Sequence, residues 1–160
     1  MYTSAVALIV HGGNLLCVLP SKHLPRPKKR GRGLTKGKAR PWDCPGGKMA
    51  PKESPRNAMI REVREETGIN LGGVIPVSQH AIPEAKCLVY VLRLDNAQQA
   101  SAGDGIAEVR WCPVADAQSD ACYRLERALY VAHESLRRLQ CTCDSRPCGS
   151  CGALFNLSPM

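Results

Sequence analysis

Glu62, Glu65 and Glu66 stand three and four residues apart, so a helix through them would crowd three carboxylates onto one face. Mutual repulsion would weaken such a helix in isolation. A hard divalent cation, Mg²⁺ or alternatively Mn²⁺, removes that repulsion, because it takes oxygen ligands and pairs readily with phosphates. Hydrolysis of a phosphoanhydride consists mostly of positioning and charge neutralisation, and metal-bound carboxylates with a water-orienting base are the parts it needs. The plainer alternative is a solvated charged face balanced by Arg61 and Arg64. The Gly46-Gly47 turn upstream, the intervening Glu53 and the fixed register favour chemistry over that alternative.

These side chains need a helix with defined ends. Ser54-Pro55 supplies a hydroxyl cap followed by proline in the first turn. Gly68 supplies a stop, since glycine tolerates the left-handed conformation that ends helices. Between them Met59, Ile60, Val63 and Thr67 fall on one arc at about 100° per residue, with the glutamates on the neighbouring arc.

From Gly47 the chain runs five residues to Glu53 and seven more to Arg61-Glu62-Val63-Arg64-Glu65-Glu66-Thr67-Gly68-Ile69. This resembles the Nudix box, the pattern of hydrolases that cleave nucleoside diphosphates linked to another group, and each of its nine positions is filled. The resemblance implies roles position by position. Glu65 and Glu66 match the metal-ligand pair, and Glu62 the carboxylate that serves as base in some members and as a further ligand in others. Gly46 matches the residue whose backbone carbonyl completes the metal shell. Glu53 and Arg61 match the salt bridge that braces the loop against the helix. A second candidate base is Glu108, heading Glu108-Val109-Arg110-Trp111, which resembles a strand that follows the box in many Nudix proteins. A solvated strand end is the equal alternative for it.

Around the box, strands are expected at Ser4–Val10 and Leu15–Leu19, joined by a His11-Gly12-Gly13-Asn14 turn, and at Trp42–Cys44 leading into the Gly-Gly turn. Further strands are expected at Val74–Ala81, Cys87–Leu94 and Ile106–Cys112, with a second helix over Ala121–Leu139. That order suggests an α/β protein with a mixed sheet between helices, in agreement with the α/β/α sandwich the resemblance implies. A chain of 160 residues with 44% apolar content suits one such domain over 1–140, followed by a tail over 141–160.

The net charge of +8 is local. Nine Lys or Arg lie between Pro20 and Pro41, without an acid, and removing them leaves −1. Proline, glycine and like charge there argue against regular structure, so 20–41 reads as a basic, flexible insert next to the catalytic loop. Three readings are open for its cations, residues 22–40: a passive loop, a clamp on nucleotide phosphates, or a track for an RNA or DNA backbone. Base stacking within it is not expected, since aromatics are lacking there.

Nine cysteines include four in the tail, Cys141, Cys143, Cys148 and Cys151. Four thiols within eleven residues could bind Zn²⁺, although only four residues separate the two pairs, and a flexible, oxidation-prone tail is the plainer reading. Without a basic leader or a long apolar run, reduced thiols in a cytoplasmic setting are expected, with no membrane span. Tyr90 and Trp111 could stack on a base but more commonly such strand aromatics are core. His11, His80, His23 and His133 receive no role.

The leading expectation is a Mg²⁺-dependent hydrolase of a free nucleotide, similar to the MutT-like nucleoside triphosphate pyrophosphohydrolases. The runner-up is the same chemistry on a capped RNA 5′ end, with the basic insert holding RNA. A third reading is a non-catalytic nucleotide-binding module of the same fold. Oligomeric state is not legible.

Overall fold

Ala5 to Val10 are all buried, and a strand covered on both faces carries a continuous apolar run rather than an alternating one. They form β1 (Ser4–His11), the centre of the sheet in a computed structural model that describes residues 1–24, 42–96 and 98–140. One edge of β1 pairs in parallel with β5 (Cys87–Arg93) from Ser4↔Cys87 to Val10↔Arg93. The other edge is divided. Near its C-terminus β1 joins β2 (Asn14–Pro20) through Val10↔Leu15 and His11↔Asn14, across a tight Gly12-Gly13 turn whose positive φ values suit glycine. Near its N-terminus it pairs with β3 (Gly46–Lys48), Ser4 opposite Lys48 and Val6 opposite Gly46. β2 pairs onward with β6 (Ile106–Pro113) and β5 with β4 (Ser78–Ile82), giving the order β4-β5-β1-β2-β6 with β3 on β1.

Helices cover both faces. On one, α1 (Pro55–Thr67) packs Ala58, Met59 and Val63 against Ala5, Ala7, Ile9 and Leu16. On the other lie α2 (Val114–Ser119), α3 (Tyr123–Val131) and α4 (His133–Gln140), whose Leu125, Leu129 and Leu136 meet Val6, Leu8 and Val89. Each fully buried aliphatic side chain contributes about 1.5–3 kcal/mol, so both layers are held by apolar burial. The result is the expected α/β/α sandwich around a mixed sheet.

Several boundaries differ from expectation. Trp42 and Asp43 form isolated bridges, to Ala121 and Val18, rather than a strand. β4 begins at Ser78, not Val74, because Pro76 lacks the donor a ladder needs. The helix expected over Ala121–Leu139 starts at Tyr123 and breaks at Ala132, and the six-residue α2 was not expected at all. Pro20 belongs to β2, and Ser21–His23 is a 3₁₀ turn, so these residues are not part of an unstructured insert. The remaining insert residues, 25–41, and the Cys141, Cys143, Cys148 and Cys151 cluster with its Zn²⁺ reading lie outside the described residues. Among the described residues no helix is long and apolar enough to cross a membrane.

Candidate active site

The division of β1's edge creates the site. Residues 42–48 run into the gap between β2 and β1: Asp43 exchanges backbone hydrogen bonds with Val18 of β2, both 2.8 Å, and Pro45 accepts from Ala7 N–H of β1 at 2.9 Å. The chain then turns at Gly46, whose φ of 135° and contact with Ala5 and Val6 leave no room for a side chain. Gly47 lies directly against the Glu62 carboxylate; a Cβ there would stand 2.6 Å from Glu62 Cδ.

α1 is fixed at both ends. Ser54 Oγ accepts from Asn57 N–H at 3.2 Å, Pro55 opens the first turn, and Gly68 closes the helix at φ 71°. The loop after β5 bonds the free carbonyls of the last turn: Ser101 N–H to Thr67 and Gly103 N–H to Glu66, both 3.0 Å. The same loop brings Asp104 and Gly105 to the cleft, where Gly105 accepts from Ser21 N–H at 2.8 Å.

Arg61 gathers the acids. Its guanidinium grips Glu53 with two bonds of 2.9 and 3.0 Å, and reaches Glu62 at 2.8 Å, Glu65 at 3.1 Å and the Lys48 carbonyl at 3.1 Å. Glu53 also accepts from Ala50 N–H at 2.8 Å. These bonds, Arg61 foremost, hold the Glu53 carboxyl at about 2. Glu66 is the opposite case: burial pushes its carboxyl up to about 7, against the hydrogen bond that Gly46 N–H donates to Oε2 at 2.8 Å.

Gly46, Gly47, Glu62 and Glu66 line one cleft of ≈ 590 Å³, together with Lys22, Lys48 and Arg124. Glu65 stands beside it with a 55% exposed side chain turned to Arg61. Among the described residues no three His, Cys, Asp or Glu side chains converge as a metal-binding group, since Arg61 draws Glu62 and Glu65 toward itself. The donor set nevertheless fits a hard cation. It is all oxygen, two of its carboxylates, Glu62 and Glu65, share one guanidinium, and burial holds Glu66 against ionisation more strongly than the Gly46 N–H and Arg124 favour it.

Glu108 is not brought to the cleft. It sits exposed on β6 opposite Leu19, on the sheet face covered by α3 and α4 rather than by α1. Tyr90 is buried and Trp111 half-buried, both packed in the layer under α1. His80 lies between Ser78 and Ser135 hydroxyls at 3.0 and 3.1 Å, away from the carboxylates.

One site feature lay beyond sequence reading. Asp43, its side chain only 5% exposed, receives Arg124 of α3 through Nε to Oδ1 at 3.0 Å and Nη2 to Oδ2 at 2.7 Å. Arg124 also reaches the carbonyls of Cys44 at 3.3 Å and Gly46 at 3.4 Å. The pair spans 81 residues, and its only sequence cue was a lone acid beside the Gly-Gly turn.

A family model described as "NUDIX domain" matches residues 1–133. The chain is 44% identical over 54 residues to human diphosphoinositol polyphosphate phosphohydrolase 3-alpha, covering 32% of this chain and 33% of that one. It is 36% identical over 87 residues to the uncharacterized Nudix hydrolase YvcI of Bacillus subtilis (strain 168), covering 49% and 54%. The chain thus spans about a third to a half of the length of these curated relatives. Among solved structures it resembles a C. elegans Ap4A hydrolase binary complex, at TM-score 0.60 and 20% identity over 82% of this chain and 95% of that one. It also resembles the MutT protein of Methanosarcina mazei Go1, at TM-score 0.56 and 24% identity over 86% and 94%. A bifunctional NMN adenylyltransferase/ADP ribose pyrophosphatase of Francisella tularensis, complexed with AMP and a Mn ion, is similar at TM-score 0.58 and 18% identity over 84% and 42%. At these identities the structures speak to the fold alone.

Proposed function

We infer the activity of this chain from its membership: it belongs to the Nudix family of hydrolases. It cleaves a phosphoanhydride in a nucleoside diphosphate-linked substrate, with a free nucleoside triphosphate of the MutT type as the leading class. The observation that carries this is the Gly46-Gly47 loop seated on Glu62 and Glu66 in the cleft, with Arg61 holding Glu62. A Mg²⁺ or Mn²⁺ ion held by Glu65, Glu66 and the Gly46 carbonyl would supply neutralisation of phosphate charge.

The remaining work falls to the chain. Arg61 fixes Glu62 Oε1, and Oε2, which also lies against Gly47, accepts no hydrogen bond from the described residues. Glu62 is the base this geometry favours: it takes a proton from water as the water oxygen bonds to phosphorus and the bridging P–O bond breaks. The products are a monophosphate and pyrophosphate or another phosphate-bearing group. Glu53 keeps Arg61 in place, and its low pKa leaves the brace ionised throughout the neutral range. A floor of backbone and carboxylate positions the substrate, which is the larger part of phosphoryl-transfer catalysis.

A substrate panel with Mg²⁺ tests this reading: canonical and oxidised (d)NTPs, ADP-ribose, NADH, dinucleoside polyphosphates and capped RNA. The human relative's name adds a diphosphoinositol polyphosphate. Hydrolysis of one nucleotide class, abolished by Glu65→Gln, is the expected result. Absence of metal-dependent turnover on every member would instead leave a binding module.

A further inference from the structure

We propose that Arg124 is a phosphate-contacting residue of this cleft, aimed by Asp43 at a substrate oxygen that the α1 carboxylates and their cation do not cover. The inference rests on the hydrolase reading for its substrate, but its geometry is independent of α1. A guanidinium has five N–H donors in a rigid plane. In Arg124, Nε and one Nη2 hydrogen serve Asp43, the second Nη2 hydrogen serves Cys44, and one Nη1 hydrogen makes a long contact of 3.4 Å with Gly46. One Nη1 hydrogen is left without a partner among the described residues, on a side chain that lines the cleft.

The bidentate pair fixes the plane of the guanidinium before any substrate arrives. Arg124 therefore forms a contact with little further loss of side-chain freedom, and its fork matches phosphate geometry. Its position completes the charge pattern. Glu62 and Glu66 reach the cleft from α1, whereas Arg124 reaches it from α3 on the opposite sheet face. An acid-lined side suited to a cation thus faces a cationic side suited to phosphate oxygen. Asp43, being buried, is explained as the group that orients this arginine; a pair serving only as a loop staple would not need its arginine to line the cleft.

The test uses the full chain with Mg²⁺ and two variants, Arg124→Lys and the double variant Asp43→Asn/Arg124→Gln. The double variant replaces both charges, so it strands no buried ion. Binding of inorganic pyrophosphate is measured by calorimetry, and steady-state kinetics are measured on the substrate found by the panel. The expected result is a loss of pyrophosphate affinity of about 10- to 100-fold, the range for one hydrogen bond to a charged group, and a similar rise in KM with kcat little changed. Pyrophosphate affinity equal to wild type in both variants, or a fall in kcat at unchanged KM, overturns the proposal, as does failure of wild type to bind pyrophosphate. If wild type binds pyrophosphate in an Arg124-dependent way but hydrolyses nothing in the panel, the hydrolase reading fails and this one stands.

Discussion

The backbone N–H of Gly46 donates to Glu66 Oε2 at 2.8 Å, tying the loop wedged between β1 and β2 to the last turn of α1. Everything else in the site is arranged around that seam: Gly47 lies on Glu62, and Arg124 reaches the Gly46 carbonyl. The loop and the helix therefore move as one body, and small errors at their contact should be costly to chemistry and cheap to the fold.

Gly47→Ala tests that directly. The new Cβ would meet Glu62 carboxylate atoms at 2.6–2.8 Å, so the carboxylate must shift while the backbone is spared. Turnover is expected to fall by about 100-fold, the typical cost of a misplaced catalytic group, with only a small change in melting temperature. Wild-type kcat in Gly47→Ala would show that Glu62 need not occupy this position.

Glu66 makes the metal-free protein pH-sensitive. Its folded pKa of about 7 exceeds the ordinary 4.5, so the neutral form is favoured in the fold. The stability it contributes is present below the unfolded pKa and is lost as pH rises toward 7, on the order of 2 kcal/mol after solvent screening. In chelator, melting curves of wild type should fall below those of Glu66→Gln increasingly from pH 5 to 7 and level off above. Because a cation must displace that proton, Mg²⁺ affinity should weaken by up to about tenfold per pH unit below 7. Calorimetric titrations at several pH values check this; an affinity flat from pH 5.5 to 8 contradicts it.

The Glu53–Arg61 brace has the opposite sign. With the Glu53 carboxyl lowered to about 2, its contribution is complete above the unfolded value near 4.5 and is lost as pH falls through the folded one. The melting-temperature difference between wild type and Glu53→Gln should thus be constant from pH 5 to 8 and shrink in acid. A difference that varied across the neutral range would mean another group carries the brace.

Local chemistry made α1 legible: Ser54, Pro55 and Gly68 mark its ends through capping and left-handed backbone, and both appear where expected. The central strands were equally plain, because β1 from Ala5 to Val10 and β5 from Cys87 to Leu92 are unbroken runs of buried, mostly aliphatic residues. The break at Ala132 has no glycine or proline to announce it, and α2 is only six residues behind Pro113. In the site, the glutamates' register along α1 was readable, but their partners across space were not. Asp43 and Arg124 meet only because the sheet brings residues 81 positions apart together. Glu108 was placed on the other face by its pairing with Leu19, a matter of strand register that spacing alone does not reveal.

Leu125 tests the layer that carries Arg124. It is fully buried in the core between the sheet and α3, and Leu125→Ala should cost about 2–5 kcal/mol. Urea unfolding should show the loss as a lower midpoint at unchanged slope. A cost below about 1 kcal/mol would indicate that this side chain is not packed as described.

The central claim, that the α1 carboxylates carry hydrolysis, is tested most directly by kcat of Glu66→Gln on the substrate wild type turns over, with Mg²⁺ saturating. The amide keeps an oxygen acceptor for Gly46 N–H and removes only the charge. The expected result is a loss of at least about 100-fold with the fold retained. A kcat within about threefold of wild type would contradict the claim, since a charge-neutralising site cannot lose a carboxylate at so little cost.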